Sequence, residues 1–443
     1  EGNINWPSES DKAYAVAQAK FFRAYAYRNL GELYGGVPIV KEFINTPRYD
    51  FQRASMLETY QVAINDLIDA LEDLPEITEV AGGRVNKAAA QHYLSQLYLD
   101  KGIWMEQQGE SAGQMYDSSI YYANQVIEDS KFELMTERFG TRGDEPDKSV
   151  YWDLFRKGNV SYDAGNTECI WNFQADQAAW EEADGGSYVG FPRSHMPVIR
   201  WMDGYQLDPN HISGRGVAFV APTMYLRDSI WGMQQDHLTS GSIAQGDMRN
   251  ADHNIVRQFV YNDPETEQFG DTIPYSHMYK DLNFQSIIFP VHAKLTTDQF
   301  PEVAQWPGTG SYLFRNVYAI RLPMTYFLRA EAYLRNGQSQ EAADDINVIR
   351  QRAGCNYLVN SSELDIDFIL DERARELYVE ERRWNTLLRM RGTVAVDRIR
   401  KYSFWDATRA TLTFDYNRWP IPQDVIDRNK DIDMRQNPGW EGR

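Results

Sequence analysis

Apolar residues recur at helical spacing over residues 9–35, 52–73, 84–102, 114–129, 320–336, 338–353 and 364–391, where Ala, Leu and Tyr alternate with paired charges. A stripe of that period predicts helices that bury one face. Residues 140–310 and 393–443 have another texture. They are rich in Gly, Pro, Asn, Asp and Trp, and short runs at 166–173 and 253–262 read as strands. The expected architecture is therefore mainly α, with helices bracketing a long irregular middle. Four segments are expected: a helical repeat region over 1–139, an irregular region over 140–310 that carries a binding site, a second helical repeat region over 311–392, and a strap over 393–443 that packs back on the frame. A loop-rich insertion on a rigid helical frame is where binding chemistry is expected.

The helical segments also repeat one another. Ala330, Tyr333, Gly337, Ala342, Ile346 and Ile349 stand at the offsets of a tetratricopeptide helix-turn-helix. Ser95, Tyr98 and Gly102 match the first three positions, and Ser119, Ala123 and Val126 the last three after a longer loop. Near the start, Ala24, Tyr27 and Gly31 are answered by Ala63, Leu67 and Ala70. In such a unit small residues let two antiparallel helices approach, an aromatic fills the gap, and the glycine is expected to break the first helix. Three copies predict tetratricopeptide-like pairs stacked into a right-handed superhelical frame.

Composition narrows the chemistry. The formal net charge is −19 over 443 residues, which disfavours a nucleic-acid partner, because phosphate binding needs clustered Lys and Arg. Aromatics make up 13% of the chain, with 12 Trp and 27 Tyr, more than a plain helical bundle needs. Cys169 and Cys355 lie in no Cys-x-x-Cys or Cys/His cluster, so zinc is not expected. Both read as small buried hydrophobes, a disulfide between them being the lesser alternative. No apolar run reaches transmembrane length. There is no nucleophile elbow, P-loop, dinucleotide fingerprint or zincin motif, and the seven histidines show no ligand spacing on one helix. No cofactor or metal is expected. Glu376, Glu380 and Glu381 stand beside Arg382 and Arg383 within about two helical turns, which suits a salt-bridged helix better than an acid/base pair.

Four motifs carry a family resemblance. AQAKFFRAYAYRNLGELYGGVPIV (17–40), LRAEAYLRNGQSQEAADDINVIRQRAG (328–354), DERARELYVEERRWNTLLRMRG (371–392) and RWPIPQDVIDRNKDIDMRQNPGW (418–440) stand in the order found in the SusD/RagB family. That family consists of Bacteroidetes outer-membrane nutrient-binding lipoproteins, which this chain resembles from residue 17 to residue 440. The resemblance implies four repeat-like helix pairs on one side and an irregular ligand-binding half on the other. It implies binding of oligo- or polysaccharide and delivery to a SusC-like TonB-dependent transporter, over which the protein sits as a lid, without catalysis. It also implies an outward-facing position on the outer membrane, anchored by an N-terminal lipid absent from this chain. Only about sixteen residues precede the first motif, where the family has several tens that contribute to its ligand site. Two alternatives stand beside this reading: an oligopeptide binder of RagB type on the same scaffold, and a helical polysaccharide-degrading enzyme.

Sugar recognition relies on exposed aromatic planes with donors and acceptors beside them. By resemblance the platform falls within 178–208, which holds Trp180, Tyr188, Trp201 and Tyr205 beside Arg200, Asp203 and His195. Trp231 and Trp6 are weaker candidates, and Trp104, Trp171 and Trp384 read as core or interface. The stretches 212–216 and 241–250 combine Gly, Ser and charge with few apolar anchors and are expected to open easily.

Overall fold

The computed structural model describes residues 4–182, 191–208, 211–274, 277, 288–300, 312–403, 411–412 and 417–442. Among them nine helices have seven residues or more: α1 (Glu9–Tyr34), α2 (Met56–Ala70), α3 (Lys87–Gln107), α4 (Gly113–Ile127), α5 (Leu322–Arg335), α6 (Ser339–Arg352), α7 (Ile366–Leu377), α8 (Arg383–Arg389) and α9 (Val394–Tyr402). Local signals start them. Ser8 caps α1, a Ser55/Glu58 capping box opens α2, Asn86 caps α3 and Asp365 caps α7. Four short strands pair as two antiparallel ladders, β1 (Cys169–Phe173) with β4 (Val317–Arg321) and β2 (Ile255–Val256) with β3 (Val291–His292). The second ladder is far shorter than the alternating run over 253–262 predicts.

The consecutive helices α1/α2, α3/α4 and α5/α6 pack as pairs, and α4 packs on α5, so the early and late repeats join directly. Ion pairs Lys20–Asp69 and Arg23–Asp66 join the middle of α1 to the end of α2 in reversed order and fix that pair as antiparallel. Arg329 bonds Asp345 within the last pair and Asn124 of α4 across the seam. The repeat glycines act differently from expectation. Gly31 and Gly102 lie inside α1 and α3 and do not end them. A methyl group on Gly31 would stand 2.6 Å from Tyr60 Cε1, and one on Gly102 2.6 Å from Tyr116 Cε1, so both make room for a ring of the partner helix. Gly337, at φ 78°, does end its helix.

The irregular middle is joined to this frame by its core. Trp171 of β1 packs edge-on against Phe21 and Tyr25 of α1, and Asn86 at the start of α3 donates to Ile170 O at 2.9 Å. Both cysteines are buried and unpaired, and burial pushes the Cys169 thiol up to about 12. The C-terminal segment lies against the end of α1: Trp419 N–H donates to Leu33 O at 2.7 Å and Asn437 Nδ2 to Tyr34 O at 3.0 Å.

At the centre is a buried ion network. Arg321 bonds Glu168 and Glu376 at 2.7 Å each, and Glu380 at 2.7 Å. Arg352 bridges Glu168 and Glu376 from α6. Arg249 bonds Asp247, Glu372 and Glu376, while Arg350 and Arg375 close on Glu372 and Lys294 on Glu380. Two expectations fall here. The stretch 241–250 is anchored, since Ala244, Asp247, Arg249 and Asn250 are all buried. Ile212 and Ser213 of the other stretch are buried as well. The acidic motif after residue 371 is not one salt-bridged helix either. α7 stops at Leu377, Val379 takes φ 65°, unusual for a β-branched residue, and Glu380 turns inward to Arg321, 59 residues away, while Glu381 turns back to Arg373 of α7.

Burial alone would raise the Glu376 carboxyl, but Arg352, Arg321 and Arg249 outweigh it and hold it well below the ordinary range. Glu372 is brought down to about 2 by Arg249, Arg350 and Arg375 against the same burial. A carboxyl with a depressed folded pKa stabilises fully above its unfolded pKa and loses that contribution as pH falls toward the folded value. Denaturant titrations are therefore expected to show stability falling between about pH 4.5 and pH 2. Glu376→Gln leaves three arginines short of a charge and is expected to cost about 3–5 kcal/mol at pH 7. A loss below about 1 kcal/mol would show that the network does not carry the fold.

Candidate functional site

One surface of the middle region presents aromatic and cationic side chains outward. It is built from 192–203 folded alongside 215–224. Val217 N–H donates to Arg193 O at 2.9 Å, Ala218 N–H to Met196 O at 3.0 Å and Val220 N–H to Ser194 O at 2.8 Å. Gly216 permits this approach, since a methyl group there would stand 2.1 Å from Pro197 O. Beneath lie two apolar clusters, Val198 with Ala218 and Phe289, and Ile199 with Tyr205, Ile212, Phe259 and Val291. The apolar residues of the two segments thus divide between an anchored layer and an outer one.

Trp201 belongs to the outer layer. It ends the turn Ile199–Trp201, is 49% exposed, and carries the Arg200 guanidinium 4.6 Å from its ring centroid. Arg200 also donates from Nη1 to Gly216 O, which ties the two segments at this point. Phe219, 66% exposed, stands outward from the other segment, with Val220 and Met224. Isolated exposed hydrophobes are ordinary, but several on one pair of segments mark a contact surface.

The other expected site residues divide. Asp203 is exposed two residues beyond Trp201. His195 is half-buried and faces Tyr378 edge-on at 6.4 Å. Trp180 is buried against Phe314 and Tyr312, and Tyr205 is buried with its hydroxyl bonded to His211 and Ser213, so neither ring offers a free face for stacking. Trp231 is buried too, Trp6 is half-buried, and Trp171 is core as expected. Trp104 and Trp384 are half-buried. Tyr188 lies outside the described residues. Sequence reasoning missed Arg193, Arg215 and Phe219. No periodicity marks them, and only the pairing of the two segments brings Arg193 and Arg215 within reach of Arg200 and sets Phe219 on the neighbouring segment.

A second concavity, of about 370 Å³, lies between β4 and the turn after α7, lined by Phe155, Phe173, Lys294, Arg315, Tyr318 and Glu380 among others. Its charges are largely matched to each other and to the backbone, Arg315 Nε alone among these groups being buried without a partner. Lys294 bonds Glu380, and Arg315 donates to Phe155 O and Lys294 O. Burial pulls Lys294 down to about 8 against the pull of Glu380. This concavity is a seam of the core and offers few unspent donors.

The division between anchored and outward rings is testable by stability alone. Trp201→Ala is expected to cost less than about 1 kcal/mol in chemical denaturation, as for exposed positions. Trp180→Ala is expected to cost about 3–5 kcal/mol through the cavity it leaves. Equal losses would mean that Trp201 is a plug of the fold.

Known proteins resemble this chain in sequence and in architecture. Residues 167–440 match the profile described as "SusD family", and residues 4–99 match one described as "Starch-binding associating with outer membrane". The starch-binding protein SusD of Bacteroides thetaiotaomicron is 26% identical over 453 aligned residues, covering 96% of this chain and 72% of that protein. A SusD-like protein of Formosa agariphila is 24% identical, covering 99% of this chain and 76% of its own length. A SusD homologue from Bacteroides thetaiotaomicron superimposes with a TM-score of 0.68 at 17% identity over 99% of this chain and 81% of its own. Surface glycan-binding protein A from Bacteroides fluxus does so with a TM-score of 0.65 at 21% identity over 99% and 81%. With most of its length matched, and with the helical frame those structures share, the chain belongs to the SusD family.

Proposed function

We propose that this protein binds oligo- or polysaccharide at the cell surface and hands it, uncut, to a SusC-like TonB-dependent transporter of the outer membrane. The observation that carries this reading is the half-exposed Trp201 on a fixed turn, with Arg200 laid on its ring and exposed Phe219 on the neighbouring segment. A flat apolar ring beside fixed donors suits the C–H face and hydroxyl rim of a sugar. The names of the relatives, starch-binding and surface glycan-binding, support the same ligand class. Among the described residues no helix is long and apolar enough to cross a membrane. We take attachment to the outer membrane to be through an N-terminal lipid, with the protein facing outward.

Binding without catalysis is supported by the state of the core carboxylates. Glu372 and Glu376 are held ionised by arginines and shielded from solvent, which suits neither proton donation nor contact with a glycan. Incubation with a polysaccharide panel is expected to release no new reducing ends.

The binding test uses calorimetry against a panel of neutral and acidic oligosaccharides, beginning with maltoheptaose. Trp201→Ala is expected to weaken the best ligand at least tenfold, about 1.4 kcal/mol, with little change in melting temperature. An unchanged affinity removes Trp201 from the site.

Docking is assigned to the helical pairs, whose outer faces are regular and rigid. Charge reversals on exposed positions of α3, α4 and α6 are expected to weaken co-purification with the transporter while glycan affinity survives. Loss of glycan binding with an intact complex would overturn this division of labour.

A further inference from the structure

Trp201 is bordered by more positive charge than a platform for neutral sugar requires. The bond from Val217 N–H to Arg193 O and that from Arg200 to Gly216 O gather Arg193, Arg200 and Arg215 around the junction of the two segments. Burial, then the like charges of Arg215 and Arg193, pull the Arg200 guanidinium down to about 10, so the three sense one another.

Among the described residues no carboxylate pairs with any of the three, although the chain has 64 acidic residues against 45 basic ones. Arg193 Nε is shielded from water with no hydrogen-bond partner, and Asp203, the acid next in sequence to Trp201, is exposed. Some arginines of the frame bond backbone carbonyls, as Arg315 does, but those of the central network are each answered by a carboxylate. Arg249, Arg321, Arg350 and Arg389 each bond at least one buried carboxylate. Like charges gathered without a counter-ion disfavour the empty state, and an arriving anion relieves that repulsion while filling open guanidinium donors. Arginine matches planar or tetrahedral oxyanions through its fork of donors, which hydroxyl-only sugars do not exploit.

We propose that the Trp201 surface takes an acidic saccharide, one ring face stacking on the indole while a carboxylate or sulfate on that residue or the next is held by Arg200 and Arg215, with Arg193 behind them. This rests on the reading of Trp201 as a sugar platform. It also gives a reason for the placement: a chain of net charge −19 repels polyanions at long range, so a local cluster of arginines is needed to hold one.

Two matched pairs of probes test it: hexagalacturonate with its methyl ester, and an ι-carrageenan hexasaccharide with its desulfated form, titrated into the wild type, Trp201→Ala and Arg215→Gln. One acidic probe is expected to bind the wild type and to weaken at least tenfold when its charge is removed. The pair that responds tells carboxylate from sulfate. Arg215→Gln is expected to lower affinity for that probe at least fivefold, to leave its uncharged form unaffected, and to flatten the dependence on salt. Charge-free forms bound as tightly as charged ones, an Arg215→Gln variant without effect, or a wild type that binds neither acidic probe would each overturn the proposal. If Trp201→Ala still weakens maltohexaose in those cases, the platform stands and only the acidic ligand falls. If Trp201→Ala changes nothing for any probe, the platform falls with it.

Discussion

The fold depends on a group of buried charges, drawn from Glu168 to Glu380, that pair with one another. Glu376 is the hub, bonded by Arg249 from the irregular middle, Arg321 from the end of β4 and Arg352 from α6. Six cations and five carboxylates meet there, nearly all of their surface shielded from solvent, an arrangement that is stable only while every member has its partners. A buried network of this kind adds less stability than its ion pairs suggest, because each group gave up hydration to enter it. It does penalise any other arrangement of the segments. The irregular region can therefore dispense with long strands or helices: it is tied to the frame by Glu168, which bonds Arg321 and Arg352, and by Arg249, which bonds Glu372 and Glu376.

That constraint has a functional consequence. With the base of the middle region fixed, its outer turns need little structure of their own to hold a side chain in place. Gly216 lets the two outer segments touch, Val198, Ala218 and Phe289 fill the space beneath, and Trp201 is left outward on a short turn. Rigid presentation of a ring lowers the entropy lost on stacking a ligand against it. Glu372 and Glu376 are taken up in holding the frame, while Arg193, Arg200 and Arg215 near Trp201 are partly exposed and have no carboxylate partner among the described residues.

Much of the frame was legible in the sequence. The helix expected over 338–353 is Ser339–Arg352, and that over 114–129 is Gly113–Ile127, because period and capping act within a few turns. Pairing was legible for the same reason, through small residues such as Ala24 and Ala63, both fully buried between α1 and α2. The glycines were misread in role: Gly31 and Gly102 share an offset with the helix-ending Gly337, but the rings of Tyr60 and Tyr116 opposite them fix what that offset does. The candidate site was legible only in part. Trp180, Tyr205 and Trp201 share one sequence window and one composition, and sequence distance does not tell which will meet Phe314, which His211, and which will stay half-exposed beside Arg200.

The sequence by itself determined the family, the helices, their pairing and the presence of an aromatic-rich insertion, because each is written in local spacing or in contiguous motifs. Only the tertiary structure decided which charges are neutralised and which rings are free. Arg321 finds Glu168 across 153 residues of chain and Glu376 across 55, distances over which no periodicity survives. Arg200, one residue from Trp201, finds no carboxylate among the described residues. Both outcomes follow from how whole segments pack, since the cost of burying a charge is fixed by everything around it.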